Sequence, residues 1–195
     1  MKPAFAVVGH PNKGKSSIVS TIARDDSVAI SAESGTTASV QALDVKVGSS
    51  EFTLYDTPGF QRPTKVLAWL QARASSAAAR ADAVRSFIAS DECRREFPEE
   101  VMLLEPIMAG AAILYVVDGS RPYGEEYEAE MEILRWTGQA SMALINPIEN
   151  EDHVAAWQQA LGQYFKVVRV FNAMQADFDK LLSVLEAFSH IKEEW

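Results

Sequence analysis

The chain has 195 residues, of which 48% are hydrophobic and 23% are charged. This length favours one well-packed domain and is short for two. A net charge of −9 with only short basic runs argues against general attraction to nucleic acid or anionic lipid. The single cysteine, Cys93, excludes an internal disulfide and a cysteine-based metal site. Without a bilayer-length apolar stretch or a signal-peptide layout, we expect a cytoplasmic protein.

The first predicted strand leads into a phosphate-binding sequence. Ala4–Val8 is an apolar run, Lys15–Arg24 has a helical pattern, and residues 9–16 are Gly-His-Pro-Asn-Lys-Gly-Lys-Ser. This octapeptide matches G-x-x-x-x-G-K-[ST] in the strand, loop and helix context that the motif requires. Its glycines let backbone N–H groups face a polyanion, Lys15 reaches the phosphates, and the Ser16 hydroxyl binds Mg²⁺. The alternative interpretation is an ordinary glycine turn before a helix.

A polar segment follows at residues 31–37, with the sequence Ser-Ala-Glu-Ser-Gly-Thr-Thr and no hydrophobic period. We expect a flexible loop there. A loop hydroxyl that closes over Mg²⁺ only when a γ-phosphate is present would make this segment a switch. Either Thr36 or Thr37 has the required group.

The next two strands are predicted at Val40–Val47 and Phe52–Asp56, joined by the short connection 48–51. They should form a hairpin and give the sheet one antiparallel edge. Asp56 ends the second strand and is followed by Thr-Pro-Gly. In phosphate-loop enzymes an acid at this place holds Mg²⁺, usually through water, and the glycine N–H, here that of Gly59, meets the γ-phosphate. A plain turn would use the same residues.

Residues 64–108 form an unusually long helical stretch between two strands. We predict an inserted pair of helices over Thr64–Ser90 and Glu99–Met108. Three-four spacing predicts that the apolar stripe of the first helix consists of Leu67, Leu70, Ala74, Ala77, Ala78, Ala81, Val84 and Ile88. This stripe either packs on the chain's own domain or binds a partner or regulator.

The remainder alternates between strand and helix patterns. The predicted strands are Ala111–Val117, Ser141–Ile145 and Lys166–Phe171, and the predicted helices are Glu125–Trp136, His153–Tyr164 and Phe178–Trp195. The whole pattern predicts an α/β fold, with a mainly parallel six-stranded sheet, one antiparallel edge strand and helices on both faces. Acidic residues at 125–130 start a helix, where carboxylates favour the positive end of the dipole, so we interpret them as structural.

The ordered set of G-x-P-N-x-G-K-S, G-T-T and D-T-P-G resembles the GTPase domain of the Era and TrmE branch of translation-factor-class P-loop GTPases. More closely, the chain is similar to bacterial GTPases of that branch whose G domain precedes a poorly characterised C-terminal domain. The resemblance implies a Ras-like fold, with residues 1–195 as a single GTP-binding domain and a helical insertion at about 64–108. It also implies GTP or GDP as ligand and Mg²⁺ as cofactor.

The resemblance assigns roles to individual positions. The residues that it and the motif assign to nucleotide binding are Gly9, Pro11, Asn12, Lys13, Gly14, Lys15, Ser16, Ser17, Asn146 and Glu149. The implied magnesium ligands are Ser16, Thr37 and Asp56. The residues implied to act on the γ-phosphate during catalysis are Lys15, Thr37 and Gly59.

Asn12 has two interpretations. In the Era and TrmE branch, the asparagine of the phosphate loop helps to coordinate an activating K⁺ that supplies the charge otherwise given by an arginine finger. The alternative is a turn former. Phe60 stands where Ras-like enzymes have the glutamine that orients water, and Gln61 comes one place later.

The base-recognition motif departs from the family pattern. Where relatives have Asn-Lys-x-Asp, residues 146–149 are Asn-Pro-Ile-Glu. Asn146 is retained, the lysine is absent, and Glu149 carries its carboxylate one methylene further out. Glu149 is either the reader of guanine or a solvated loop acid. The later Ser-Ala-Lys motif corresponds only to residues 172–174, Asn-Ala-Met.

These observations predict a GTPase that acts as a molecular switch with slow intrinsic turnover. One alternative is a nucleotide-binding scaffold with weak or no hydrolysis, which uses the helical insertion to bind a protein partner. Another is a small-molecule or nucleotide kinase, which should carry an arginine-rich lid, and the Asp-Thr-Pro-Gly and Gly-Thr-Thr motifs argue against it. His10 lies inside the phosphate loop and either touches the nucleotide or is exposed. Nothing in the sequence points to direct nucleic-acid or membrane binding.

Overall fold

The computed structural model describes residues 2–10, Lys15, 28–32, 40–47, 50–171 and Ser183. Within these residues seven strands form one sheet: β1 (Ala4–Val8), β2 (Val28–Ala32), β3 (Gln41–Val47), β4 (Ser50–Asp56), β5 (Ala112–Asp118), β6 (Ser141–Asn146) and β7 (Val167–Val170). Their spatial order is β2-β3-β4-β1-β5-β6-β7.

The described helices are α1 (Pro63–Gln71), α2 (Arg80–Ala89), α3 (Asp91–Glu96), α4 (Pro98–Met108), α5 (Glu126–Trp136) and α6 (Val154–Leu161), with a 3₁₀ turn at Ala77–Ala79. The predicted helices Lys15–Arg24 and Phe178–Trp195 lie outside the described residues, except for Lys15 and Ser183, which are both helical. None of the helices in the described part of the chain is both long and apolar enough to cross a bilayer.

The sheet confirms the predicted fold class. Strands β4, β1, β5, β6 and β7 are parallel to one another, and β3 pairs antiparallel with β4, with Val47 opposite Ser50. The six predicted strands are all present. The structure adds β2, which pairs antiparallel with β3 from Val28 opposite Val47 to Ala32 opposite Leu43. Strand β3, which is antiparallel to both of its neighbours, therefore lies second from the edge of the sheet.

Strand β2 changes one prediction about the polar segment. Ser31 and Ala32 belong to this strand and not to the loop predicted for residues 31–37. The strand is short, carries two alanines and a serine, and follows a polar stretch, so its own residues give a weak strand pattern. Backbone pairing with β3 organises it, and such pairing is invisible in a local sequence window.

The central strands explain why the sheet is covered on both faces. All seven residues of β5 are buried, as are four of the five in β1. A parallel strand buried on both sides has a continuous apolar sequence, as both strands do. The large buried side chains of the core include Trp157, Tyr115 and Phe60.

The helical insertion differs from its prediction. The helix expected over Thr64–Ser90 is broken after Gln71 and resumes at Ala77. Ala77 and Ala78, expected in the buried stripe, are exposed. Residues 72–78 are mostly alanine and serine, which bury too little apolar area to hold this stretch against the core as a continuous helix.

Large side chains on either side of this break make the core contacts of the insertion. Val66 and Leu70 are buried on α1, and Val84 and Phe87 are buried on α2. The structure also contains α3, which we did not predict. It begins at Asp91, where the Ser90 hydroxyl caps it by accepting a hydrogen bond from the Cys93 N–H.

Candidate functional site

The predicted site residues gather at one edge of the sheet. Val7 lies beside Asp56 in the parallel pair β1–β4, and Asp118 lies beside Asn146 in the parallel pair β5–β6. Because all four strands run in the same direction, their carboxyl ends meet at this edge. Open α/β sheets bind ligands there.

Gly9 begins the phosphate loop in a place where only glycine fits. Its φ is +153°, and a Cβ atom built on it would lie 2.3 Å from the Val116 carbonyl oxygen on β5. The backbone of the loop therefore passes directly against the neighbouring strand. This close approach is the reason for a glycine at the first position of the motif.

Lys15 is buried, with 6% of its surface exposed. Its Nζ donates hydrogen bonds to the carbonyl oxygens of His10 at 2.8 Å and Gly9 at 3.4 Å. Burial lowers the pKa of Lys15, and the charges of Asp56 and Glu130 act in the opposite direction. The ammonium group thus lies under the start of the phosphate loop, where an anion would satisfy it better than two neutral carbonyls.

Asp56 is the acidic counterpart of Lys15 at the end of β4. Burial raises the pKa of this carboxyl group, and the nearby charge of Lys15 partly offsets the rise. A partly desolvated carboxylate at a strand end is the hard oxygen donor that Mg²⁺ prefers, directly or through water. The group fits the magnesium role that the sequence assigned to it.

The segment after Asp56 is docked onto β1 and the phosphate loop. The Thr57 hydroxyl donates to the Val7 carbonyl oxygen at 2.7 Å, and the Phe60 N–H donates to the Gly9 carbonyl oxygen at 3.3 Å. Gly59 is buried between them, and the Phe60 side chain is fully buried. Phe60 therefore acts as an apolar anchor and has no means of orienting water.

A buried glutamate of the insertion holds the next two residues. Glu100 on α4 has no exposed surface. Its Oε1 accepts hydrogen bonds from the backbone N–H groups of Gln61 at 2.9 Å and Arg62 at 2.6 Å. Its Oε2 is buried and has no hydrogen-bond partner among the described residues.

A second buried glutamate, Glu130 on α5, holds the phosphate loop. Its Oε1 lies 2.8 Å from the Nδ1 of His10, and its Oε2 accepts a hydrogen bond from the Tyr115 hydroxyl at 2.7 Å. The His10 ring also packs edge-on against Tyr127, with 5.3 Å between ring centroids. The His10 side chain therefore ties the loop to α5.

The base-recognition region lies at the ends of β5 and β6. Asn146 is buried, and its carbonyl oxygen accepts a hydrogen bond from the Gly119 N–H at 3.0 Å. Glu149 is exposed and forms an ion pair with Arg121, with 3.2 Å between Oε1 and the guanidinium nitrogen. The carboxylate expected to read guanine is thus already paired with a cation from the loop after β5.

The structure brings Gly9, Lys15, Asp56 and Gly59 together, with Asn146 and Glu149 at the same edge of the sheet. The other predicted site residues lie outside the described residues: Pro11, Asn12, Lys13, Gly14, Ser16, Ser17 and Thr37. Among the residues that the structure describes, no cluster of His, Cys, Asp and Glu could hold a metal ion. Helix α5 does begin among the acidic residues 125–130, as predicted.

The roles of the two buried glutamates were missed in the sequence. Each lies on the apolar face of its helix, as the spacing of the apolar residues in the sequence indicates. On α5 the spacing i, i+3, i+4, i+7 joins buried Tyr127, Glu130, Met131 and Leu134. On α4 the same spacing joins Phe97, which caps the helix, to Glu100, Val101 and Leu104. An acid at an apolar position of a helical stripe is the signal that could have found them.

Comparisons with known proteins agree with this geometry. The family model for the 50S ribosome-binding GTPase matches residues 4–147. GTPase Der of Agathobacter rectalis is 38% identical to this chain over 87 residues, which cover 43% of this chain and 20% of Der. The matched segments span 20% to 23% of the length of three Der relatives.

Two solved structures share the fold. A variant of Aquifex aeolicus Era bound to GDP and AlF₄⁻ matches with a TM-score of 0.59 at 19% identity, covering 96% of this chain and 57% of that one. Era in complex with MgGDPNP and part of 16S ribosomal RNA matches with a TM-score of 0.53 at 21% identity, with the same two coverages. The predicted Ras-like fold is confirmed by these matches.

Proposed function

The chain belongs to the 50S ribosome-binding GTPase family, a class of GTP-binding P-loop proteins related to Era and Der, and on that basis we propose that it hydrolyses GTP as a molecular switch. The observation that carries the proposal is a pair of opposite charges that influence each other: the buried ammonium group of Lys15 under the phosphate loop and the half-buried carboxylate of Asp56 at the end of β4. A buried ammonium group held by loop carbonyls and a partly desolvated carboxylate near it suit a triphosphate and its metal ion.

Each residue assigned to the phosphates or to Mg²⁺ has a part in this proposal. Lys15 exchanges the carbonyl oxygens of its own loop for phosphate oxygens. The Gly59 N–H donates to the γ-phosphate, and Asp56 holds Mg²⁺, with Ser16 and Thr37 as further proposed ligands. When bound, the magnesium ion would neutralise charge on the phosphates. Era, a relative, holds MgGDPNP in its solved structure.

The proposed reaction is attack of water on the γ-phosphate. The water oxygen forms a bond to phosphorus, the bond to the oxygen of GDP breaks, and a proton is released with inorganic phosphate. Phe60 is buried and apolar, and the Gln61 side-chain amide donates to the Gly59 carbonyl oxygen at 3.4 Å. Neither side chain is placed as a base, so intrinsic turnover should be slow.

We propose K⁺ as an activating cation held in part by Asn12. The support is indirect: residue 60 is an apolar anchor, so the charge and orientation normally given by a side chain must come from another group. Replacing K⁺ by Na⁺ should then slow hydrolysis by the wild type, and Asn12→Ala should erase the difference. Equal wild-type rates in the two salts would remove K⁺ from the mechanism.

We further propose that residues 1–195 form a single G domain, with the insertion as its contact surface for a protein partner, and that it works in the cytoplasm, where GTP is supplied. The net charge of −9 favours a protein over RNA as the partner. Era is bound to 16S ribosomal RNA in its solved structure. Filter binding of the purified chain to ribosomal RNA at two salt concentrations would detect an RNA partner and contradict this part.

The deciding experiment combines calorimetric titration with a phosphate-release assay. With Mg²⁺ present, GTP and GDP should bind more tightly than ATP and ADP, and phosphate should appear slowly from GTP. Tight GTP binding without phosphate release would favour the alternative, a nucleotide-binding scaffold. Preference for ADP over GDP in the wild type would contradict guanine specificity.

A further inference from the structure

The Glu100 side chain does not cap its own helix, although its position is one from which a glutamate can do so. It is the third residue of α4, where a glutamate normally reaches back to the N–H of the capping residue. In this chain the capping residue is Phe97, whose N–H instead donates to the Cys93 carbonyl oxygen at 2.7 Å. The Glu100 carboxyl group is therefore free to reach across to residues 61 and 62, 38 to 39 positions away.

A second contact joins the same two parts of the chain. The Arg62 guanidinium lies 4.7 Å from the centre of the Phe97 ring, and Phe97 is buried. The insertion thus contacts the segment after Gly59 in two ways. The Glu100 carboxyl group binds the backbone of this segment, and the Phe97 ring packs against the Arg62 side chain. These contacts do not depend on each other chemically.

The contact between Glu100 and residues 61 and 62 costs more folding free energy than a purely structural contact needs to. Glu100 is completely buried, yet only one of its two oxygens has partners among the described residues. Leaving a buried acceptor without a partner costs stability, and native proteins rarely retain one without a reason. A neutral glutamine, whose side chain has the same length, could accept from the same backbone N–H groups at a lower desolvation cost.

Gln61 and Arg62, which Glu100 binds, lie close in the chain to Gly59, whose N–H is proposed to donate to the γ-phosphate. The backbone from Phe60 to Arg62 is held at three points, because the Phe60 N–H is bound to the Gly9 carbonyl oxygen and the next two N–H groups are bound to Glu100. Gly59 is one residue away from this clamped stretch. Its freedom to move is therefore set from both the phosphate loop and the insertion.

We propose that Glu100 is a positioning residue for GTP hydrolysis, which fixes the Gly59 N–H toward the γ-phosphate from the helical insertion. This inference rests on the proposed GTPase function. In a chain with an apolar residue at position 60, the insertion supplies the order that a separate partner or a catalytic side chain supplies elsewhere. The affinity for nucleotides without a γ-phosphate should therefore not depend on Glu100.

The test uses the full chain and two ligands, GDP and the non-hydrolysable analogue GDPNP, each with Mg²⁺. Glu100→Ala should bind GDPNP about tenfold more weakly and hydrolyse GTP in a single turnover about tenfold more slowly, while its GDP affinity stays within about twofold of the wild type. Glu100→Gln keeps one acceptor oxygen and should recover most of both losses. The matched control is Glu105→Ala on the same helix, where the half-exposed carboxylate pairs with Arg94.

Amide hydrogen exchange adds a readout that does not depend on turnover. Residues 61 and 62 should exchange slowly in the wild type and quickly in Glu100→Ala, with circular dichroism showing that the variant is folded. If Glu100→Ala does not fold, the same measurements on Glu100→Met decide the question, because methionine fills the buried space but accepts no hydrogen bond from the N–H groups of residues 61 and 62. In that variant GDPNP binding should also weaken by about tenfold, with GDP affinity unchanged.

The outcomes separate this inference from the proposed function. Wild-type rates and GDPNP affinity in the folded Glu100→Ala variant, or equal losses of GDP and GDPNP affinity, would overturn the positioning role. If the wild type releases no phosphate, the proposed function fails. The ratio of GDPNP to GDP affinity then still tests whether Glu100 positions Gly59.

Discussion

At the residue scale, Gly9 shows how one missing side chain allows the site to form. A methyl group there would meet the Val116 carbonyl oxygen at 2.3 Å, and the φ of +153° is also unfavourable for other residues. We expect Gly9→Ala to lower the free energy of unfolding by about 3–5 kcal/mol, since it adds a backbone clash to conformational strain.

Gly110 provides the matched control for Gly9. It also has a positive φ, of +111°, but an added Cβ would meet nothing within 4 Å. Gly110→Ala should therefore cost only about 1–2 kcal/mol, the conformational part alone. Urea unfolding of both variants measures the difference, and equal losses would show that contact with β5 is unimportant.

Asp56 should make the empty protein less stable as pH rises. Burial raises its folded pKa above the ordinary value of 3.8. Between these two pKa values the native state binds more protons than the unfolded state, so stability falls as pH increases through that window. Asp56→Asn should then be more stable than the wild type at pH 7 without nucleotide, and the difference should vanish below pH 3.8.

Asp44 gives the opposite sign for the same measurement. Hydrogen bonds from Lys2 and Thr53 lower the pKa of this carboxyl group. The resulting stability is present above the unfolded pKa and is lost as pH falls through the folded one. In thermal unfolding from pH 3 to pH 7, Asp44→Asn should destabilise at neutral pH. A destabilised Asp56→Asn at pH 7 would contradict the desolvation argument.

At the element scale, α5 supports the phosphate loop through Glu130. The charge of Glu130 raises the pKa of Lys15 against the effect of burial. Glu130→Gln should therefore let Lys15 lose its proton at lower pH, and GDP affinity should decline earlier on the alkaline side. The variant should also lose about 1–3 kcal/mol of stability, because an amide cannot accept from both His10 and Tyr115 as the carboxylate does.

The control for this prediction lies on the same helix. Glu128 is exposed and accepts a hydrogen bond from the Tyr123 hydroxyl at 2.8 Å, away from the phosphate loop. GDP titrations of Glu128→Gln between pH 7 and pH 10 should match the wild type. An unchanged alkaline limb in Glu130→Gln would show that α5 has no electrostatic effect on Lys15.

The loops after β5 and β6 together set base preference. Glu149 can accept from the two guanine donors, which adenine lacks, so Glu149→Ala should reduce the preference for GDP over ADP by about 100-fold. Arg121 is exposed and pairs with this carboxylate at 3.2 Å. Exposed pairs contribute little, so Arg121→Ala should change the preference by no more than about fivefold.

Glu149→Asp completes the series on base preference. It shortens the side chain to the length found in the family motif and should sharpen the preference. Calorimetric titration of all three variants with GDP and ADP measures it. Full discrimination by Glu149→Ala would mean that guanine is recognised by other residues.

At the scale of the whole molecule, nucleotide binding should stabilise the fold. At a GDP concentration 100 times the dissociation constant, the wild type should gain about 2.7 kcal/mol, or roughly 5–10 °C in Tm for a chain of this size. Lys15→Ala should show no gain at that concentration. Its Tm without nucleotide should not fall, because burial makes the charge of Lys15 unfavourable in the empty protein.

A scan of Tm against GDP concentration for both proteins tests this. A normal GDP-dependent rise in Lys15→Ala would contradict the phosphate-binding role of Lys15. A large loss of stability in Lys15→Ala without GDP would instead show that its main role is in packing.

The sequence by itself determined six of the seven described strands, the phosphate-loop motif and the acid at the end of β4. These features are written in local patterns: apolar runs of strand length, a glycine-rich octapeptide and a carboxylate followed by Pro-Gly. Their physical causes act over a few residues, so a short window contains them. The bounds of β1 agree with the prediction at both ends, and those of β5 and β6 differ by one residue at most at each end.

Tertiary structure alone decided the formation of strand β2, the break between α1 and α2, and the hydrogen-bond partners of the two buried glutamates. Strand β2 exists because β3 offers an open edge, and the insertion breaks where alanines have nothing to bury against. Glu100 binds residues 38 and 39 positions away, and Glu130 binds a histidine 120 positions away. Burial and long-range hydrogen bonds depend on which elements meet in space, and a single sequence does not specify which distant donor will face a given acid.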